Sequence, residues 1–251
     1  MMILRLLFIL FLSFPASSMA EKGPIVPEVL VKRAVDYWRD DSSFTKARMT
    51  IHRPDWERSL AMESWTKGSS KALVRFTAPA KDAGSSTLSL GDETWSYSPK
   101  INRVIKIPPS MKAQSWMGSD FSYRDLTKAD DIVKQYTHIL VKQESVDGKL
   151  LYTVESTPKE NAPVVWGKEV LQIREDLVIM RHEFYDQDKK LVKVLEAKEV
   201  ASMGGKLFPK VMRMTKVEED NNWTEIVHDY VEFKKEFSDS FFSVGSLSSR
   251  S

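Results

Sequence analysis

The sequence predicts a mainly β protein, one amphipathic helix followed by a large curved antiparallel sheet or partly closed barrel. Three observations carry this. Helical spacing of apolar residues occurs near the start, over residues 27–40. After it, short runs rich in β-branched and aromatic residues recur at regular spacing, separated by turn-forming residues. Several of these runs carry large apolar groups on both faces, so both sides of the sheet need cover in places.

The helix comes first. Val29, Leu30, Ala34, Val35, Tyr37 and Trp38 fall on one stripe, Pro27 suits a first turn, and Asp40-Asp41-Ser42-Ser43 ends it. Strands follow at 44–52, 58–66 and 71–76, with turns at Arg53-Pro54-Asp55 and Lys67-Gly68-Ser69-Ser70. Short turns between consecutive strands make an antiparallel meander. Residues 85–90, 94–97 and 101–107 continue the strand pattern, and Pro108-Pro109 stops it because proline offers no donor.

Residues 110–123 break the pattern. Met111, Trp116, Met117, Phe121 and Tyr123 crowd around Gly118 with neither helix nor strand periodicity. A connection normally runs over the surface, so one this apolar either plugs a hollow or covers one. A short acidic helix is expected over 125–133, then a hairpin of 136–143 and 150–156 about Asp147-Gly148. A second meander reads as 169–174, 178–185, 191–198, 206–216 and 223–233. Over 177–185, Val178, Met180 and Phe184 share one face, and Leu177, Ile179 and Tyr185 the other. Phe241, Phe242, Val244 and Leu247 then mark 237–247 as a packed tail.

Composition narrows the class. Hydrophobic residues at 42% and charged ones at 29% are ordinary for a globular chain of 251 residues. A net charge of +2 gives no strong field for nucleic acid or an anionic surface. In residues 1–20, Arg5 is the sole charge, an apolar run spans 6–14, and Ser18-Met19-Ala20 puts small residues where a signal peptidase cuts. The run is shorter than the ~20 residues a spanning helix needs, so residues 1–20 read as a cleaved secretory signal and 21–251 as one domain. With no cysteine at all, the exported chain must rest on its core alone. The expected location is an extracytoplasmic space, most simply a periplasm.

Catalytic motifs are missing. There is no nucleophile elbow, phosphate-binding glycine loop or H-E-x-x-H helix, and the carboxylates are scattered. His52, His138, His182 and His228 lie on separate strands without metal-ligand spacing. The expectation is a binding protein, with no enzyme activity, metal or cofactor. Met111, Met117, Met180, Met212 and Met214 suit an adaptable apolar site, though each also suits plain core filling.

Along nearly the whole mature chain, the residues then resemble a known family. The helix followed by SSFTKARMTI, the ALVRFTAPAKDAGSSTL segment, GDETWSYSPKINRVIKIP and WMGSDFSYRDL are similar to the outer-membrane lipoprotein-sorting family of the LolA/LolB-like superfamily. Most telling is Asp92, Trp95, Tyr97 and Pro99 in D-x-x-W-x-Y-x-P, coupled to Gly118-Ser119-Asp120-Phe121. The resemblance implies an unclosed antiparallel β-barrel, an N-terminal helix, a loop and helix lid, and an apolar cavity for acyl chains. It places Leu60, Met62, Trp65, Phe76, Trp95, Tyr97, Trp116, Met117 and Phe121 at cavity or lid positions. It also implies an arginine of an early strand latching the lid, and Arg48 and Arg58 stand in those strands. The implied partners are an acylated lipid or lipoprotein, with an inner-membrane RND-type transporter or a lipoprotein-releasing complex beside it.

Two functions follow. One is a periplasmic carrier sheltering acyl chains during transfer across the envelope. The other is a non-enzymatic sensor or interaction module whose barrel is plugged by its own loop.

Overall fold

A computed structural model of the protein describes residues 24–127, 130–219 and 221–249. The expected export signal, residues 1–20, lies outside them. Helix α1 (Pro27–Arg39) is followed by β1 (Ser42–Arg53), β2 (Trp56–Lys67), β3 (Lys71–Ala78), β4 (Ser86–Leu90), β5 (Glu93–Ser98) and β6 (Arg103–Lys106). Two short helices, α2 (Tyr123–Thr127) and α3 (Asp131–Gln135), come next, in place of the single helix expected over 125–133. The second half comprises β7 (Tyr136–Val146), β8 (Lys149–Pro158), β9 (Lys168–Arg174), β10 (Ile179–Tyr185), β11 (Leu191–Met203), β12 (Lys206–Lys216) and β13 (Trp223–Phe233).

Among the described residues, all thirteen strands form one antiparallel sheet, ordered β6-β5-β4-β3-β2-β1-β13-β12-β11-β10-β9-β8-β7. Two meanders are therefore stitched together by the first strand pairing with the last. The sheet does not close into a barrel, and β6 and β7 are its two edges. The chain from Ile107 to Gln135 passes from one edge to the other, and it is this stretch that carries the aromatic loop. Bulges in the pairings of β1 with β13, β2 with β3 and β11 with β12 bend the strands, as curvature requires.

Turn chemistry explains the hairpins. Asp147 (φ 49°) and Gly148 (φ 75°) join β7 to β8 with both central residues left-handed, the backbone that Asp-Gly favours. At the β11–β12 turn Gly204 has φ 56°, and a Cβ there would meet the Phe233 ring at 2.6 Å. Pro209 lies in mid-strand, where it has no N–H to give the ladder, and pairing of β12 with β13 stops at Val211 and Val227. Trp38 of α1 stacks on Phe208 beside this break, with ring centroids 4.6 Å apart.

Strand alternation sorts the core into two faces. On the inner face Leu30, Val31, Ala34 and Val35 of α1 pack on Tyr152, Val154, Leu171 and Ile173. Also inward, Ala47, Met49, Ile51, Leu60, Met62, Val74 and Phe76 pack around Trp116. On the outer face, a cross-strand row runs Phe44, Trp65, Leu73, Leu88, Trp95. The tail covers that row with Phe237, Phe241, Phe242 and Leu247, as its apolar sequence predicts. Phe242 is 4% exposed and sits edge-on to Phe237 and Phe241. Phe242→Ala is expected to cost about 3 kcal/mol, read as a lower urea midpoint.

Candidate functional site

Between the sheet's inner face and the segment crossing it lies a cavity of about 280 Å³. Its walls are mostly apolar. Val35 and Trp38 come from α1, Trp116, Phe121 and Leu126 from the crossing segment, and Ile132 from α3. The sheet contributes Leu171, Ile179, Phe184, Leu195, Ala197, Met212, Met214 and Ile226.

The lid is held at defined points. Residues 115–122 form a miniature hairpin, with Ser115 bridged to Ser122 and Trp116 N–H donating to Phe121 O at 2.7 Å. Its tip, Met117-Gly118, has positive φ at both residues (56° and 78°). Trp116 is 1% exposed, packs on Phe76 at 5.3 Å, and donates its indole N–H to Thr87 Oγ1 at 3.1 Å. Asp120, whose side chain is fully buried, takes two hydrogen bonds from the Arg53 guanidinium at 3.0 and 3.1 Å. Thr224 Oγ1 donates to the same carboxylate at 2.6 Å. Arg53 also reaches Gly118 O, and Arg58 reaches Met117 O while pairing with Asp82 at 2.7 Å. Arg48 faces outward and pairs with Asp229 at 2.8 Å, so of the two expected early-strand arginines only Arg58 touches the lid.

The other half of the sheet holds the lid through Lys193. This lysine faces inward from β11 and pairs with Asp125 of α2 at 2.7 Å, with both side chains largely buried. Its ammonium lies 5.2 Å from the Trp166 ring and 4.9 Å from Phe184. Nearby, His182 Nε2 meets the buried Glu169 carboxylate at 2.5 Å and stacks on Phe184 at 4.0 Å. Burial, and then the Glu169 charge, push the Tyr136 phenol far above its ordinary value, so it remains a donor. The cavity thus has an apolar body and a polar end able to hydrogen-bond one group of a mostly apolar ligand.

His228 sits in the wall edge-on to the stacked Trp38 and Phe208 rings and donates from Nδ1 to Pro209 O at 3.0 Å. Burial pulls its pKa from 6.5 down to about 4. The folded state therefore holds it neutral while the unfolded chain takes up a proton first. Stability from this group is present above about pH 6.5 and is lost as pH falls towards about 4. His228→Gln is expected to remove about 3 kcal/mol of that acid sensitivity, seen in urea midpoints measured across that pH range.

The nine residues expected to line cavity or lid divide between the faces. Trp116 and Phe121 line the cavity. Leu60, Met62, Phe76 and Met117 form the inner cluster that seats Trp116. Trp65, Trp95 and Tyr97 lie on the outer face under the tail, a correction with a simple cause. Trp95 pairs with Leu88, whose neighbour Thr87 is the residue that faces the lid. Of the methionines, Met212 and Met214 line the cavity, whereas Met111 is exposed. A bulge between Ile179 and Arg181 overturns the expected sides in β10, bringing Ile179 round to join His182 and Phe184. Sequence reasoning missed Arg53, Asp125 and Lys193, and read Asp120 only as part of the loop motif, without its buried partners. The signal for Lys193 was a lysine in register with inward-facing Leu195 and Ala197.

An open antiparallel half-barrel with a helix and a latched lid over its inner face is a LolA-like fold. A family model, DUF1329-like and described as an uncharacterized protein, matches residues 68–249, and the chain belongs to that family. No curated protein matches it. Among solved structures, a DUF1329 family protein from Desulfovibrio piger is 28% identical with a TM-score of 0.79, covering 88% of this chain and 97% of that one. A putative outer membrane lipoprotein-sorting protein domain from Vibrio parahaemolyticus is 21% identical (TM-score 0.78; 89% and 98% covered). A LolA superfamily protein from Nitrosomonas europaea is 18% identical (TM-score 0.74; 89% and 100% covered). At those last two identities the likeness is one of fold.

Proposed function

We propose that this protein is an exported, non-catalytic carrier that shelters the acyl chains of a lipid or lipoprotein during transfer across the envelope. The observation that supports it best is the cavity of about 280 Å³, which persists with Trp116 already seated in its own slot against Phe76. A barrel plugged by its loop would spend that aromatic ring on filling the hollow. Each buried methylene contributes about 0.8 kcal/mol, so a short acyl segment suffices for useful affinity.

In this reading residues 1–20 are the export signal, 21–251 form one domain, and the working compartment is the periplasm. Among the described residues no helix is long and apolar enough to cross a membrane. Directional release needs a partner that binds the open form better than the latched one. An inner-membrane RND-type transporter or a lipoprotein-releasing complex fits that role, acting on the Asp120 and Asp125 latches.

The test is native mass spectrometry, with solvent extraction, of protein purified from its own periplasm without detergent. Stoichiometric lipid or acylated peptide is the expected result. A clean unliganded mass, with no uptake of a fluorescent acyl probe, would favour the interaction module instead.

A further inference from the structure

A second chamber of about 210 Å³ adjoins the first and shares Trp38, Asp125, Leu126 and His228 with it. Its floor is unlike the rest of the inner face. Two cross-strand rows run Thr45, Ser64, Val74, Thr87 and Ser43, Thr66, Ala72, Ser89. Six of these eight inward positions are hydroxyls, all lining the chamber, where the neighbouring rows carry Met, Leu and Phe. Burying so many polar groups is costly unless each finds a partner.

They satisfy one another only in part. Ser43 bonds Thr66 at 2.7 Å and Ser64 bonds Thr45 at 3.1 Å. Each such pair has two hydroxyl protons and uses one between its oxygens. Thr87 accepts from Trp116 and keeps its own proton. The chamber is thus rich in donors.

A cation completes it. Arg39, at the end of α1, lines the same chamber. Its Nη2 donates to Gly68 O at 3.2 Å, its Nε is buried without a partner, and it has no carboxylate ion pair among the described residues. Burial lowers its pKa, with the Asp130 charge acting the other way. Guanidinium and hydroxyl donors converging on one hollow suit an anionic oxygen group.

We infer that this chamber receives the phosphate or carboxylate headgroup of an amphiphile whose acyl chain lies in the adjoining apolar cavity. The inference rests on the carrier reading and goes further, because it makes the preferred cargo anionic.

The test compares two probes with the same chain and glycerol ester, palmitoyl lysophosphatidic acid and monopalmitoylglycerol, by displacement of a fluorescent acyl probe. The wild type is expected to bind the phosphate-bearing lipid about tenfold more tightly or better. Arg39→Gln should collapse that preference while leaving monopalmitoylglycerol binding unchanged, and Arg39→Lys should restore part of it. The Ser64→Ala/Ser89→Ala pair, which spares Arg39, should also reduce the preference, by about threefold. It keeps the test open if Arg39→Gln unfolds.

Equal binding of the two lipids by the wild type would overturn the headgroup chamber and leave the carrier reading standing. Binding of neither would overturn both. A preference that survives Arg39→Gln would place anion recognition elsewhere and overturn the assignment. Inorganic phosphate binding as tightly as the lysolipid would make this a free-phosphate site, overturning it as well.

Discussion

Asp120→Ala is expected to destabilise the protein by about 3–5 kcal/mol and to free residues 112–127 from the sheet. The carboxylate is fully buried, the Arg53 side chain is 13% exposed, and Thr224 is wholly buried. Removing the acid strands the Arg53 charge and the Thr224 hydroxyl in a dry site, which costs more than the lost attraction. Trp116 and Phe121 flank that anchor, so both should loosen with it. Thr224→Val, which removes one hydrogen bond and keeps the ion pair, should cost only about 1 kcal/mol. Urea midpoints and amide hydrogen exchange of the lid peptides check both variants. Fast exchange confined to the lid with an unchanged midpoint would show a latch that holds the lid alone. Slow exchange in Asp120→Ala would show that packing of Trp116 suffices without it.

That latch also marks where sequence reading stops. The helix, the Asp147-Gly148 hairpin and the strands of both meanders were legible because apolar periodicity and turn residues are local signals. The pairing of β1 with β13 was not, since it joins residues about 180 positions apart and leaves no local trace. Side-chain direction was legible only where strands are regular. One residue of register separates Thr87, which meets the lid, from Leu88, which sends Trp95 to the outer face. The bulge in β10 likewise moved Ile179 to the cavity side. Ion pairs such as Asp120 with Arg53 are partnerships in space, and a sequence rich in scattered charges offers many equivalent candidates. The lid itself was visible, because five large apolar residues in an irregular connection demand something to cover.

Ala197→Phe is expected to weaken binding of an acyl probe by roughly fifty-fold in a protein that still folds. Ala197 pairs with Met212 across β11 and β12, and both face the cavity. A phenyl ring there occupies the space of about three methylenes, worth about 2.4 kcal/mol of chain burial. Because it fills a hollow and removes no contact, its effect on stability should stay within about 1.5 kcal/mol. Trp95→Ala supplies the opposite pattern. That ring packs with the tail on the outer face, so its loss should lower stability by about 2 kcal/mol and leave probe affinity alone. Probe titration and urea denaturation of the two variants read both quantities. Affinity lost at Ala197 but kept at Trp95 is the result a carrier requires, since it ties binding to empty volume inside the sheet. Unchanged affinity in Ala197→Phe would mean that acyl chains bind outside this cavity, and the carrier reading would fall with it.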